Sequence, residues 1–212
     1  MILAKRYTSN YLLSRLLPIC LIVISMSHLT LADINTLKAE LKPYQKLTRQ
    51  ELANKVINHP NIGLSKLHTN GIKDAATPYL NVVDFGLGKP AKLSSYGRAP
   101  GGSTEISEVL LQVMLALAHR GFKFRVTEIA GGQHSYSSRH YLGLAFDINE
   151  LNNRPVNNRN PYYKRFMALC RKLGATEVLG PGDADHSNHI HLAWPRSLVQ
   201  QYSKSKDSNF NS

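Results

Sequence analysis

Residues 138–148 read Ser-Arg-His-Tyr-Leu-Gly-Leu-Ala-Phe-Asp-Ile. A polar start gives way, through Gly143, to the apolar run 144–148, which reads as a strand broken only by Asp147. Upstream, Phe122, Phe124 and Val126 alternate with Lys123, Arg125 and Thr127, the pattern of a half-buried strand. Before that strand, Ser103 or Thr104 can cap a helix whose apolar positions Ile106, Leu110, Val113 and Leu117 recur at helical spacing, with Gly121 as its stop. Downstream, Asn160-Pro161 opens a helix through Lys172 that Gly174 closes. Segments 176–179 and 189–194 complete the set as strands. Helices and strands mix without regular βα alternation. The predicted class is therefore α+β, with a small antiparallel sheet flanked by helices.

Around this core, residues 33–84 read as an N-terminal extension that is partly helical. Thr48 and Glu51 have capping-box spacing and predict a helix over 49–58, broken by Pro60 and Gly63. Residues 84–102 are rich in Gly, Pro and Ser and read as loop. The domain is expected over 85–200 and a frayed polar tail over 201–212.

The first 32 residues carry Lys5, Arg6 and Arg15 ahead of the first acid, Asp33, and an uncharged run at 16–24, LLPICLIVI. A basic start, a short apolar run and the small residue Ala32 predict a cleaved secretory signal over 1–32. The run is far short of the roughly 20 residues of a spanning helix, so no stable membrane anchor is expected after cleavage, and the expected location is periplasmic or secreted. Ile19 before Cys20 is not the small residue of a lipoprotein site. That leaves Cys170, in a helical run, as a buried small hydrophobe.

The chain has 212 residues, is 42% hydrophobic and 19% charged, and so fits a globular protein rather than a disordered or coiled-coil one. Its formal net charge of +12 suits anionic partners: nucleic acid, a membrane surface or an acidic cell-wall polymer. Secretion, and the lack of interleaved aromatic and basic residues, argue against nucleic acid. Two cysteines exclude a disulfide-stapled fold.

Chemistry concentrates in two places. His186, His189 and His191 fall within Asp-His-Ser-Asn-His-Ile-His-Leu-Ala-Trp, residues 185–194. On a strand, His189 and His191 share one face, and two neutral imidazoles beside a carboxylate suit a borderline-soft cation such as zinc. The second place is the opening segment itself. His140 in a loop and Asp147 on the strand that follows can reach one ion, and a metal would offset the cost of a carboxylate set among Leu144, Phe146 and Ile148. Two imidazoles, one carboxylate and an open fourth position match a catalytic rather than a structural zinc site.

The pattern Ser138-x-His140-x-x-Gly143-x-Ala145-x-Asp147, followed by His189-x-His191, resembles the signature of the LAS zinc metallopeptidases, which share the hedgehog/DD-peptidase fold. The loop at Gly131-Gly132 is similar to the segment before this motif in the D-Ala-D-Ala carboxypeptidase branch. The resemblance spans about 100 residues, from Ser103 to Trp194. It implies that His140, Asp147 and His191 bind Zn2+ on the sheet, and that the substrates are peptidoglycan peptides, often cut next to D-amino acids.

One position departs from that branch. Asn188 stands three residues before the last ligand, where relatives carry a carboxylate base. The spacing His186-x-x-His189-x-His191 is instead similar to penicillin-insensitive murein endopeptidases. This favours His189 as the general base, with His186 orienting it or stabilising the oxyanion; Asp183 and Asp185 are further candidates. Gln133, His134, Ser138 and Arg139, upstream of a ligand, are candidates to hold substrate carboxylates or amides. The expected function is a zinc-dependent peptidoglycan endopeptidase or carboxypeptidase. Two alternatives stay open: a non-catalytic zinc-containing envelope-binding module, and a basic envelope-binding protein whose histidines are incidental.

Overall fold

The computed structural model describes residues 31–208, with side chains described over 34–202. The expected signal run and Cys20 lie outside the described residues, as do 209–212. Among the described residues, six α-helices and a six-stranded mixed sheet form an α+β arrangement. The helices are α1 (Leu31–Leu41), α2 (Arg49–Ile57), α3 (Pro78–Gly86), α4 (Glu108–His119), α5 (Tyr163–Lys172) and α6 (Arg196–Ser208). The sheet orders β1 (Ile62–Leu64), β4 (Phe124–Glu128), β5 (Ala145–Leu151), β8 (Ile190–Ala193) and β7 (Glu177–Leu179), and β6 (Arg154–Pro155) pairs with β5. A separate ribbon joins β2 (Ala91–Lys92) to β3 (Ser103–Thr104). Among the described residues, no helix is long and apolar enough to cross a membrane.

Several elements follow local rules closely. Thr48 accepts from the Glu51 amide while Glu51 reaches back to the Thr48 amide, so the capping box forms and starts α2. Helix α4 is capped by Ser107, not by Ser103 or Thr104, which instead form β3. Residues 109–118 of α4 are all buried, as expected of a helix that is apolar around most of its circumference. Cys170 is fully buried, and that burial pushes its thiol pKa up.

Three features differ from the sequence expectation. The sheet is not wholly antiparallel, because β1 runs parallel to β4 at the edge. Residues 33–84 do not stand apart: Leu37, Leu41, Leu52 and Val56 are fully buried in the same apolar cluster as Phe146, Ile190 and Trp194. Helix α6 runs to Ser208, into the stretch expected to fray. In the first two cases the cause is non-local burial, which a window of sequence does not report.

Strand parity positions the site. On β5, Phe146 and Ile148 pack into the core, which turns Asp147 to the other face. On β8, Ile190 and Leu192 do the same and turn His191 outward beside it, in register with Asp147. On β4, Val126 pairs with Ile148, but Glu128 pairs with Asp147. Two residues of β4 thus oppose one step of β5, a β-bulge that brings Glu128 to the face of Asp147 rather than that of Phe146.

Candidate metal centre and its clefts

A short 3-10 turn, Arg139–Leu142, carries His140 into the sheet. Ser138 caps it by accepting from the His140 amide at 3.3 Å. Gly143 ends it at φ +65°, and a Cβ there would collide with the Glu105 carbonyl, so the position requires glycine. The backbone then enters β5, and His140 and Asp147 face one another.

Three ligand-type atoms meet at this point. His140 Nε2 lies 3.2 Å from Asp147 Oδ1 and 3.1 Å from His191 Nδ1, and His191 Nδ1 lies 2.9 Å from the same Asp147 oxygen. His140 is fully buried, and Asp147 and His191 are nearly so. His140 Nδ1 sits 2.7 Å from the Ile129 carbonyl. A carbonyl only accepts, so that nitrogen carries a proton, and in the neutral ring Nε2 is the nitrogen with the lone pair. His191 Nε2 lies 3.4 Å from Glu177 Oε2, whose carboxylate is also paired with Arg139 at 3.2 Å. That contact directs the His191 lone pair at Nδ1 in the same way.

His134 adds a third imidazole. Its ring stacks on His140 with centroids 3.9 Å apart, and Nε2 lies 3.0 Å from the Gly131 carbonyl. His134, His140 and Asp147 each offer a ligand atom within 4.8 Å of the others and form a group able to hold a metal ion.

The electrostatics follow from burial and proximity. Burial works against charge on His140, but the adjacent Asp147 carboxylate outweighs it and raises the His140 pKa. Asp147 is driven up by burial and down by His140 and His191, and the imidazoles win, leaving it well below the usual carboxylate range. Burial, reinforced by His140, lowers His134 to about 4, which keeps it neutral at physiological pH. Burial also lowers His189.

The other residues singled out in the sequence distribute around this centre. His189 lies one residue before β8, partly buried, with Nδ1 2.9 Å from Asn188 Oδ1. The His186 ring is 4.8 Å from that of His189 and 6.1 Å from that of His191. Asp183 accepts from the Gly180 amide at 2.8 Å and so closes its own loop, whereas Asp185 is exposed. Two clefts flank the centre. One, of about 480 Å³, is lined by Asp147, His189, Glu128 and Asn149; the other, of about 920 Å³, by His191, His186, Ser138 and Arg139. Gln133 and His134 border both. Arg139 is engaged as well as cleft-lining: Nη1 donates to Thr176 Oγ1 at 2.6 Å.

Sequence reasoning missed Glu128, Glu177 and the Ile129 carbonyl. Simple alternation assigns Glu128 to the core face with Phe124 and Val126, and no local signal marks the bulge. Glu177 sits in a segment legible only as a short strand. His68 and Asp74, which support Glu128 from outside the expected domain, carried no motif.

Comparison with known proteins gives no match: no family model, no curated protein and no solved structure matches the chain.

Proposed function

We propose that this protein is a zinc-dependent peptidoglycan peptidase of the cell envelope, acting on stem peptides or cross-links. The observation that carries the reading is the triangle of His140 Nε2, Asp147 Oδ1 and His191 Nδ1, with edges of 2.9–3.2 Å, set between two clefts. Its dimensions fit the ion: ligands about 2.05 Å from a tetrahedral zinc lie roughly 3.3 Å apart. The chemistry of the donors fits too. Two imidazole lone pairs and a carboxylate oxygen crowded together repel one another unless a cation or added protons sit among them, and both rings are oriented by groups behind them. His140, Asp147 and His191 would hold the zinc, with His134 stacked behind His140.

When bound, zinc supplies Lewis acidity, polarising a peptide carbonyl and lowering the pKa of water to about 7. The chain supplies the rest. His189, at the edge of the cleft that contains Asp147, accepts the proton of the attacking water and delivers it to the leaving amine. Its Nδ1 is held by Asn188 Oδ1, which leaves Nε2 as the basic nitrogen. His186, whose ring lies tilted with its centroid 4.8 Å from that of His189, orients that ring. Gln133, Ser138 and Arg139 line the wider cleft and bind the peptide around the scissile bond. The test is digestion of purified muropeptides with mass analysis of products, with and without chelation and zinc restoration. Zinc-restored cleavage at one bond type supports the reading and names the bond; no cleavage by zinc-loaded protein rejects it.

A further inference from the structure

The narrower cleft carries an unexpected charge. The chain has a formal net charge of +12, yet among the described residues neither Lys nor Arg lines this cleft. Glu128 does, and its side chain is only 7% exposed. Behind it, His68 Nδ1 lies 3.0 and 2.8 Å from the two Glu128 oxygens, and His68 Nε2 lies 2.8 Å from Asp74 Oδ1. Each ring nitrogen thus faces a carboxylate, which only accepts, so the ring carries both protons. Burial works against that charge, but the two carboxylates prevail and bring the His68 pKa to about 9. With Glu128 ionised, one imidazolium between two carboxylates leaves a net charge of −1; burial raises the Glu128 pKa, and the hydrogen bonds from His68 work against that rise. Asp74 lies behind the ring and away from the cleft lining, so the excess is felt at Glu128.

A second acceptor sits beside it. Asn149 follows Asp147 by two residues on β5 and lines the same cleft, and its Oδ1 is buried with no hydrogen-bond partner. An anchored carboxylate and an unpaired amide oxygen in a cleft lined by neither Lys nor Arg call for a positively charged donor with several N–H groups. A primary ammonium, with three, is the simplest. The wider cleft, by contrast, is lined by Arg98 and Arg139.

We propose that the narrower cleft is an ammonium subsite, in which Glu128, with Asn149 beside it, receives a free primary amine of the substrate. This rests on the peptidase reading for its natural ligand: the side-chain amine of a diamino acid in an uncross-linked stem peptide. An amine already engaged in a cross-link is a neutral amide with one N–H, so the subsite selects uncross-linked stems over cross-linked ones.

The test uses one stem tetrapeptide containing a diamino acid, with its side-chain amine free or acetylated. Calorimetric titration of the full protein is expected to show the free amine binding about 10–100-fold more tightly, the range for a hydrogen bond to a charged group. Glu128→Gln is expected to bring that ratio below about twofold, and Asn149→Leu to reduce it in part. Acetylation alters only the peptide, so the wild-type comparison stands even if a variant folds poorly. Equal affinity for both peptides, or affinity for neither, overturns the subsite. Hydrolysis of the same pair reports separately on the peptidase reading. Discrimination in binding with no cleavage retains the subsite and rejects the peptidase, whereas equal kcat/KM for both peptides does the reverse.

Discussion

Asp147 and His191 face each other across adjacent antiparallel strands, and a single carboxylate oxygen, Asp147 Oδ1, stands 2.9 Å from His191 Nδ1 and 3.2 Å from His140 Nε2. The pairing is set by packing on the opposite face. Ile148 and Phe146 of β5 and Ile190 and Leu192 of β8 are buried, so a one-residue slip would drive the carboxylate and the imidazole into the core.

The ligand set is open to a direct test. The zinc-loaded protein is expected to hold one metal ion per chain by elemental analysis. His140→Ala, Asp147→Ala and His191→Ala should each lose stoichiometric metal, while His134→Ala should retain it. Loss in His134→Ala with retention in His191→Ala would assign the site to the His134, His140 and Asp147 group.

His189→Ala is expected to keep its metal, since the three ligands remain, and to lose about 10²–10⁴-fold in hydrolysis as a positioned base is removed. Metal analysis and turnover of the same preparation check both halves. Near-normal turnover would move the base to His186 or Asp185.

Glu177 contacts His191 only through Nε2 and is anchored by Arg139. Glu177→Ala should therefore weaken metal affinity by about 10–100-fold without abolishing the site, and Glu177→Asp should recover part of it. Competition with a chromogenic chelator gives the affinity, and unchanged affinity in Glu177→Ala would remove this residue from the account.

His68 makes global stability depend on alkaline pH. Its native pKa of about 9 lies above the ordinary 6.5, so the folded state binds the extra proton. The resulting stability, on the order of 3 kcal/mol, is fully present below pH 6.5 and is lost as pH rises through 9. Urea midpoints measured from pH 6 to 10 should fall across that window in the wild type and stay nearly flat in His68→Gln. Parallel curves would show that His68 is not the titrating group.

The sequence alone determined the local features, because each rests on neighbours a few positions away. Thr48 and Glu51 specify the α2 capping box, the run 144–148 specifies β5, and Gly143 marks the tight turn beneath His140. The pattern from Ser138 to Asp147 and the pair His189 and His191 identified the candidate site before any fold was described. Tertiary structure decided what depends on distant partners. Burial of Leu37 and Leu52 draws the N-terminal segment into the core, and the parallel β1–β4 pair changes the sheet. A bulge in β4 turns Glu128 to the face of Asp147, where His68, 60 positions earlier, holds it. Such contacts form between elements that meet only when the core closes, so neither periodicity nor spacing within one segment carries their signal.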